Sequence, residues 1–170
     1  MFGRVAAIGL VLAVGPLALS APKKSEVPPL VKKLKNDKDP KVRAEAAKEL
    51  GHIGSVKAAF TKDAIPDLVE ALKDKDANVR REVALTLGEI KADAKLVVVP
   101  LADVLKDPDF GVRSAAAESL SYFGANAKEA LPKLQELQAE LGKLSKEDQQ
   151  KNGQLIQFVN QAIQAIGPAK

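Results

Sequence analysis

DPKVRAEAAKELGHIG, residues 39–54, decides the fold. Its skeleton is Asp39, Val42-Arg43, Leu50-Gly51 and Ile53-Gly54. The skeleton returns as Asp76, Val79, Arg80, Leu87, Gly88 and Ile90, and again as Asp109, Val112, Arg113, Leu120, Phe123 and Gly124. A decayed fourth copy keeps Leu155, Val159, Ile163, Ile166 and Gly167 and has lost the Arg. The copies are 37, 33 and 43 residues apart. Self-similarity at that period predicts a helical repeat array, in which each unit buries its apolar face against its neighbours.

The segment ahead of each copy repeats too. Leu30, Leu68 and Leu101 stand four residues before Leu34, Leu72 and Leu105, and prolines sit upstream at Pro28, Pro29, Pro66, Pro100 and Pro132. Each unit therefore reads as a proline, an apolar helix, a short Asp-rich turn and a second apolar helix. Proline near a helix start costs little, because its missing N–H would be unpaired there anyway. The turns are Asp37-Lys38-Asp39, Asp74-Lys75-Asp76 and Asp107-Pro108-Asp109. The second Asp of each is placed to cap the following helix.

Counting from each repeat Val, positions 0, +4, +8 and +11 fall on one helical stripe. They read Val42, Ala46, Leu50, Ile53; Val79, Val83, Leu87, Ile90; Val112, Ala116, Leu120, Phe123; and Leu155, Val159, Ile163, Ile166, and all are expected in the core. Position +5 is Ala47, Ala84 and Ala117, then Asn160, a polar residue that suits a terminal unit. Gly51, Gly54 and Gly88 are expected to end or tighten helices. Ser145 with Asp148 resembles a capping box for a last helix rich in Gln, whose polar face suits a closing cap. A coiled-coil or partner-binding face is the rival reading of that helix.

Over residues 27–167 this pattern resembles HEAT-like repeats of the variety first noticed in phycobilin lyases. The resemblance implies an all-α fold: a short right-handed α-solenoid of about four helix pairs, an α-α superhelix of armadillo-like type. The units fall near 27–54, 65–91, 99–124 and 130–167. In similar repeats the Val-Arg arginine pairs with a turn Asp of the neighbouring repeat. The implied structural ladder is Asp39, Arg43, Asp76, Arg80, Asp109 and Arg113. Half-buried charge must be paired, so Arg and Asp should recur together. They do so in three units, and both are gone from the fourth.

Residues 1–20 read as a leader. Arg4 precedes an apolar run from Val5 to Leu19, and Ala18-Leu19-Ser20 offers small residues at −3 and −1 of a cleavage point. The run is short for a membrane span. Export to the periplasm or outside the cell is expected, with an uncleaved N-terminal anchor as the alternative. A short basic linker, 21–26, follows. Cys is absent from the sequence, which removes thiol catalysis, thiolate metal sites and disulfides. Residues 21–50 carry nine positive and five negative side chains, with Lys23, Lys24, Lys32, Lys33 and Lys35 dominating. They read as a solubilising cap, and secondly as a weak attraction to an anionic surface.

No catalytic constellation is apparent. His52 is the one histidine. Asp74, Asp76 and Asn78 imitate the start of a calcium loop, but Val79 and Leu85 stand where glycine and a bidentate Glu are needed. No metal, cofactor or enzymatic activity is expected. In such solenoids the second helices line the concave face. Positions +3, +6 and +10 form its stripe: Glu45, Lys48, His52; Glu82, Leu85, Glu89; Ala115, Glu118, Tyr122; Phe158, Gln161, Ala165. The stripe is mildly acidic, which disfavours nucleic acid. Glu82, Leu85, Glu89, Glu118, Tyr122 and Phe158 are the candidate partner-binding residues. A monomeric scaffold for an unidentified protein partner is the leading expectation. Lyase-like assistance to an enzyme or to cofactor attachment comes second, and nucleic-acid binding third.

Overall fold

The computed structural model describes residues 21–167, so the expected leader, 1–20, lies outside the described residues. Among the described residues ten α-helices run in order: α1 (Val27–Asn36), α2 (Pro40–Val56), α3 (Ala58–Thr61), α4 (Ile65–Ala71), α5 (Ala77–Glu89), α6 (Ala94–Val104), α7 (Phe110–Ser121), α8 (Leu131–Gly142), α9 (Lys146–Lys151) and α10 (Gly153–Ile166). The linker 21–26 is not fully extended, since Lys24–Glu26 make a 3-10 turn that leads into α1.

The helices form two layers. The second helices of the four units, α2, α5, α7 and α10, stack directly on one another, while α1, α4, α6 and α8 form the other layer. This is an α-solenoid of four stacked pairs. Leu50, Leu87, Leu120 and Leu155 are fully excluded from water, as are Val79, Val83, Val112 and Val159. Each such side chain contributes about 1.5–3 kcal/mol on burial. Two members of the expected core stripe are only half-buried. Val42 and Ile163 lie in the first and last units, where among the described residues a second helix stacks on one side only. Asn160, as its terminal place suggested, is exposed and accepts a hydrogen bond from Gln138 Nε2 at 2.7 Å.

The caps follow the turn chemistry. Asp39 accepts from the Lys41 N–H, Asp76 from Asn78 and Val79, and Asp109 from Val112, at 2.9–3.3 Å. Pro28, Pro66 and Pro132 occupy first-turn positions, but Pro100 lies inside α6. There Asp93 caps the helix from the Lys95 N–H, so α6 starts well before residue 99. The expected single last helix is two: Ser145 caps α9, and the chain breaks at Asn152 before α10 begins.

The glycines serve close packing. Gly51 and Gly54 lie within α2 and Gly88 within α5, so none of them ends a helix. A Cβ on Gly88 would sit 2.9 Å from the Ser119 Cα, nearer than real Cβ atoms come. At these approaches two buried hydroxyls cross between repeats. Thr86 Oγ1 donates to the Ala47 carbonyl at 2.9 Å, and Ser119 Oγ to the Ala84 carbonyl at 2.7 Å. Both donors stand at +7 and both acceptors at +5, so the contact is part of the repeat. A buried hydroxyl must be paired in this way to avoid a desolvation penalty.

Position +12 ends the helices of later units in the left-handed region: Gly124 at φ 50, Gly167 at φ 80, and Lys91 at φ 46. A side chain there costs about 1–2 kcal/mol. Part of that is offset, because glycine loses more freedom on folding. Lys91→Gly is therefore expected to raise stability by up to about 1 kcal/mol in urea denaturation. A loss of stability would mean that the Lys91 side chain contributes more than the strain costs.

Candidate functional site

Two constellations emerge from the repeats: a ladder at the turns and an acidic row on the second helices. The ladder is present, with different carboxylates from those the spacing suggested. Arg43 Nε and Nη2 each donate to Asp74 at 2.7 Å, and Arg80 Nε and Nη2 donate to Asp107 at 2.7 and 2.8 Å. These are side-on, two-bond pairs, the strongest geometry open to arginine and carboxylate. The partners are the first Asp of each following turn. Asp39, Asp76 and Asp109 were expected in the ladder, but they spend their oxygens on helix caps. Each arginine also uses Nη1 to hold its own turn, Arg43 on the Asp37 carbonyl at 2.9 Å and Arg80 on the Asp74 carbonyl at 2.9 Å.

Burial alone would raise the Asp74 and Asp107 carboxyls, but Arg43 and Arg80 outweigh it and hold both below the usual carboxylate range. The N–H groups of Asp76 and Asp109 act in the same direction. Arg113 keeps only its turn bonds, to the Asp107 carbonyl at 2.7 Å and the Pro108 carbonyl at 3.1 Å.

The acidic row is less continuous than a helical wheel drew it. Glu45, Lys48, His52, Glu89 and Tyr122 are exposed; Glu82, Leu85, Glu118 and Phe158 are half-buried; Ala115 is buried and leaves the stripe. Leu85 and Phe158 pack partly against the core. Phe158 sits at +3 and Tyr122 at +10, so they occupy different rows of adjacent units. Seven residues of helix separate two such rows by roughly 10 Å. Glu45 and Glu82 share a shallow cleft of about 400 Å³ between α2 and α5.

Tyr122 is the best-defined residue of this row. Tyr122, the one tyrosine of the sequence, is 47% exposed. Its hydroxyl donates to Glu118 Oε1 at 2.8 Å, one helical turn earlier. That bond, with partial burial and the negative charge of Glu118 and Glu89, pushes the phenol up to about 12. The neutral form is the one the fold favours. Its advantage is present below the ordinary tyrosine value of about 10 and is lost as pH rises through about 12. With one tyrosine, ultraviolet absorbance reads this group alone. The titration midpoint is expected near 12, falling toward about 10 in Glu118→Gln. Midpoints near 10 in both proteins would contradict the Tyr122–Glu118 pairing.

Sequence reasoning missed the two inter-repeat hydroxyl contacts. Aligning +7 gives Glu49, Thr86, Ser119 and Ala162, with hydroxyls only in the two units that have a repeat on each side. Among the described residues no group of three or more His, Cys, Asp or Glu side chains is arranged to hold a metal ion. No helix among them is long and apolar enough to cross a membrane.

Comparison with known proteins comes to the same architecture. A family profile described as HEAT repeats matches residues 27–99, and one described as PBS lyase HEAT-like repeat matches residues 112–140. No curated protein matches the chain. A crystal structure of an engineered protein is similar, with 24% identity and a TM-score of 0.56 over 83% of this chain. The chain spans 66% of that protein's length, and the likeness is one of fold alone.

Proposed function

Since this chain is a HEAT-like repeat protein, we propose that it is a non-catalytic scaffold that binds a protein partner along the exposed side of its second helices. HEAT repeats commonly mediate protein–protein contact, and a regular array displays one row of side chains per unit to a ligand. The observation that carries the proposal is Tyr122: an exposed ring with a fixed hydroxyl, set among Glu89 and Glu118. Tyrosine is enriched at the energetic centres of protein interfaces, because it offers area at low entropic cost and a polar handle. The acidic surroundings favour a basic partner surface. On the leader reading of residues 1–20, the partner is met after export.

The experiment is a photo-crosslinking amino acid placed at residue 122, and separately at residue 99, in the native host. Val99 is exposed to the same degree but lies on α6, in the other layer. A discrete protein adduct is expected from position 122 and not from 99. Adducts from 99 alone, or from neither, would overturn the assignment of this face.

A further inference from the structure

The ladder ends on an open fork. In Arg43 and Arg80 the Nε and Nη2 edge is filled side-on by a carboxylate of the next repeat, at 2.7–2.8 Å. Arg113 is held in the same way on its turn side, through Nη1. The fourth unit carries Gln150 where the preceding turns carry their first Asp, and among the described residues no carboxylate pairs with Arg113. Arg113 lines a cleft of about 560 Å³, together with the turn after α6, residues of α8 and Asn152. Leu137 and Leu141 line it, and the partly exposed Leu144 borders it.

We infer that this cleft is a binding site for a single carboxylate carried on an apolar stem, received side-on by Arg113. The chain itself demonstrates the ligand chemistry twice, since the same arginine in the same local frame takes a carboxylate in each preceding repeat. The fork is preorganised, because the Asp107 and Pro108 carbonyls fix the guanidinium before any ligand arrives. The charges around it set the limit on the ligand. Lys106 is engaged by Glu136 at 3.0 Å, Lys133 by Asp103, and Asp107 by Arg80. Glu140 adds a negative charge to the lining. A polyanion would meet these carboxylates, whereas one carboxylate needs only the fork. The leucines then cover its stem, and burial of apolar area adds to affinity.

The site lies at the turns, away from Tyr122, and stands independently of the partner proposed above. Two sources carry such a group: an acidic side chain of a peptide flanked by apolar residues, or a free aliphatic acid. The test is arginine side-chain NMR on the full chain, following Nε–H signals during titration with acetate, hexanoate, sulfate and the peptide acetyl-Leu-Asp-Leu-amide. Arg113 is expected to shift saturably, while Arg43 and Arg80, already filled, stay still. Hexanoate or the peptide should act at lower concentration than acetate. The tighter of the two names the source. Arg113→Lys keeps the charge and removes the fork, and should weaken binding about tenfold or more. A silent Arg113, equal shifts at all three arginines, or a response to sulfate as strong as to hexanoate would each overturn the site. If Arg113→Lys fails to fold, the contrast among the three arginines in the unaltered chain still decides.

Discussion

Leu87→Ala is expected to cost about 2–5 kcal/mol, the range for truncating a large buried side chain that leaves a cavity. Leu87 is wholly buried in the last turn of α5, which stacks on α2 on one side and α7 on the other. Neither neighbour can collapse into the void, because Gly51 and Gly88 already hold the helices at contact distance. The same truncation at Ile163 should cost less than half as much. Ile163 is half-buried in α10, the last helix of the stack. Urea denaturation of the two variants checks this. Equal losses, or a larger loss at Ile163, would contradict the stacking order.

Arg80→Ala is expected to cost about 3 kcal/mol at neutral pH, near the lower end for breaking a buried pair. The Arg80 and Asp107 side chains are 13% and 9% exposed, so removal of the fork strands a carboxylate with little access to water. Only the Asp109 N–H would remain on it. Arg113→Ala loses no carboxylate contact and should cost clearly less, because only two carbonyl bonds go.

The pH dependence has a definite sign. The Asp107 carboxyl is held below its usual range in the fold, so the pair's contribution is present above the ordinary value of about 3.9. It fades as pH falls toward and through the folded value. The gap in stability between the native chain and Arg80→Ala should therefore narrow below about pH 4. A gap of the same size at pH 7 and pH 3 would mean that Arg80 acts by packing alone.

The repeat frame was legible because it is one-dimensional. Val, Leu and Ile at fixed offsets, an Asp cap and an Arg four residues later leave few alternatives, and α2, α5, α7 and α10 lie where those offsets put them. The ladder's partners were not legible, because each turn offers two Asp residues and both are used. The second is within reach of the free N–H groups of its own helix and caps it. The first bonds the N–H of the second and turns its other lone pairs to the arginine one repeat earlier. That division depends on turn geometry, and composition is blind to it.

The exposed row of the second helices was half legible. The wheel put Glu89 and Tyr122 on the surface, where they lie, yet it also put Ala115 there, where α7 is in fact covered. A wheel treats every helix alike, whereas α7 has a stacked neighbour on both sides and a first helix beneath it. The Tyr122–Glu118 bond is a plain i, i+4 pair that the sequence displays, and its importance comes only from the exposure of the ring. The Pro100 offset was hidden because Asp93, which starts α6, lies outside the repeated frame.

We propose Tyr122 as the anchor for a protein partner on the second-helix layer. The most direct measurement is the affinity of the crosslinked partner, once isolated, for the native chain and for Tyr122→Ala, with Phe158→Ala and Arg80→Ala alongside and melting curves for all. Tyr122→Ala is expected to lose about 2 kcal/mol or more of binding free energy at unchanged melting temperature. Phe158→Ala, half-buried, should lose both binding and stability, and Arg80→Ala stability alone. Unchanged affinity in Tyr122→Ala would contradict this assignment, whatever Phe158→Ala does.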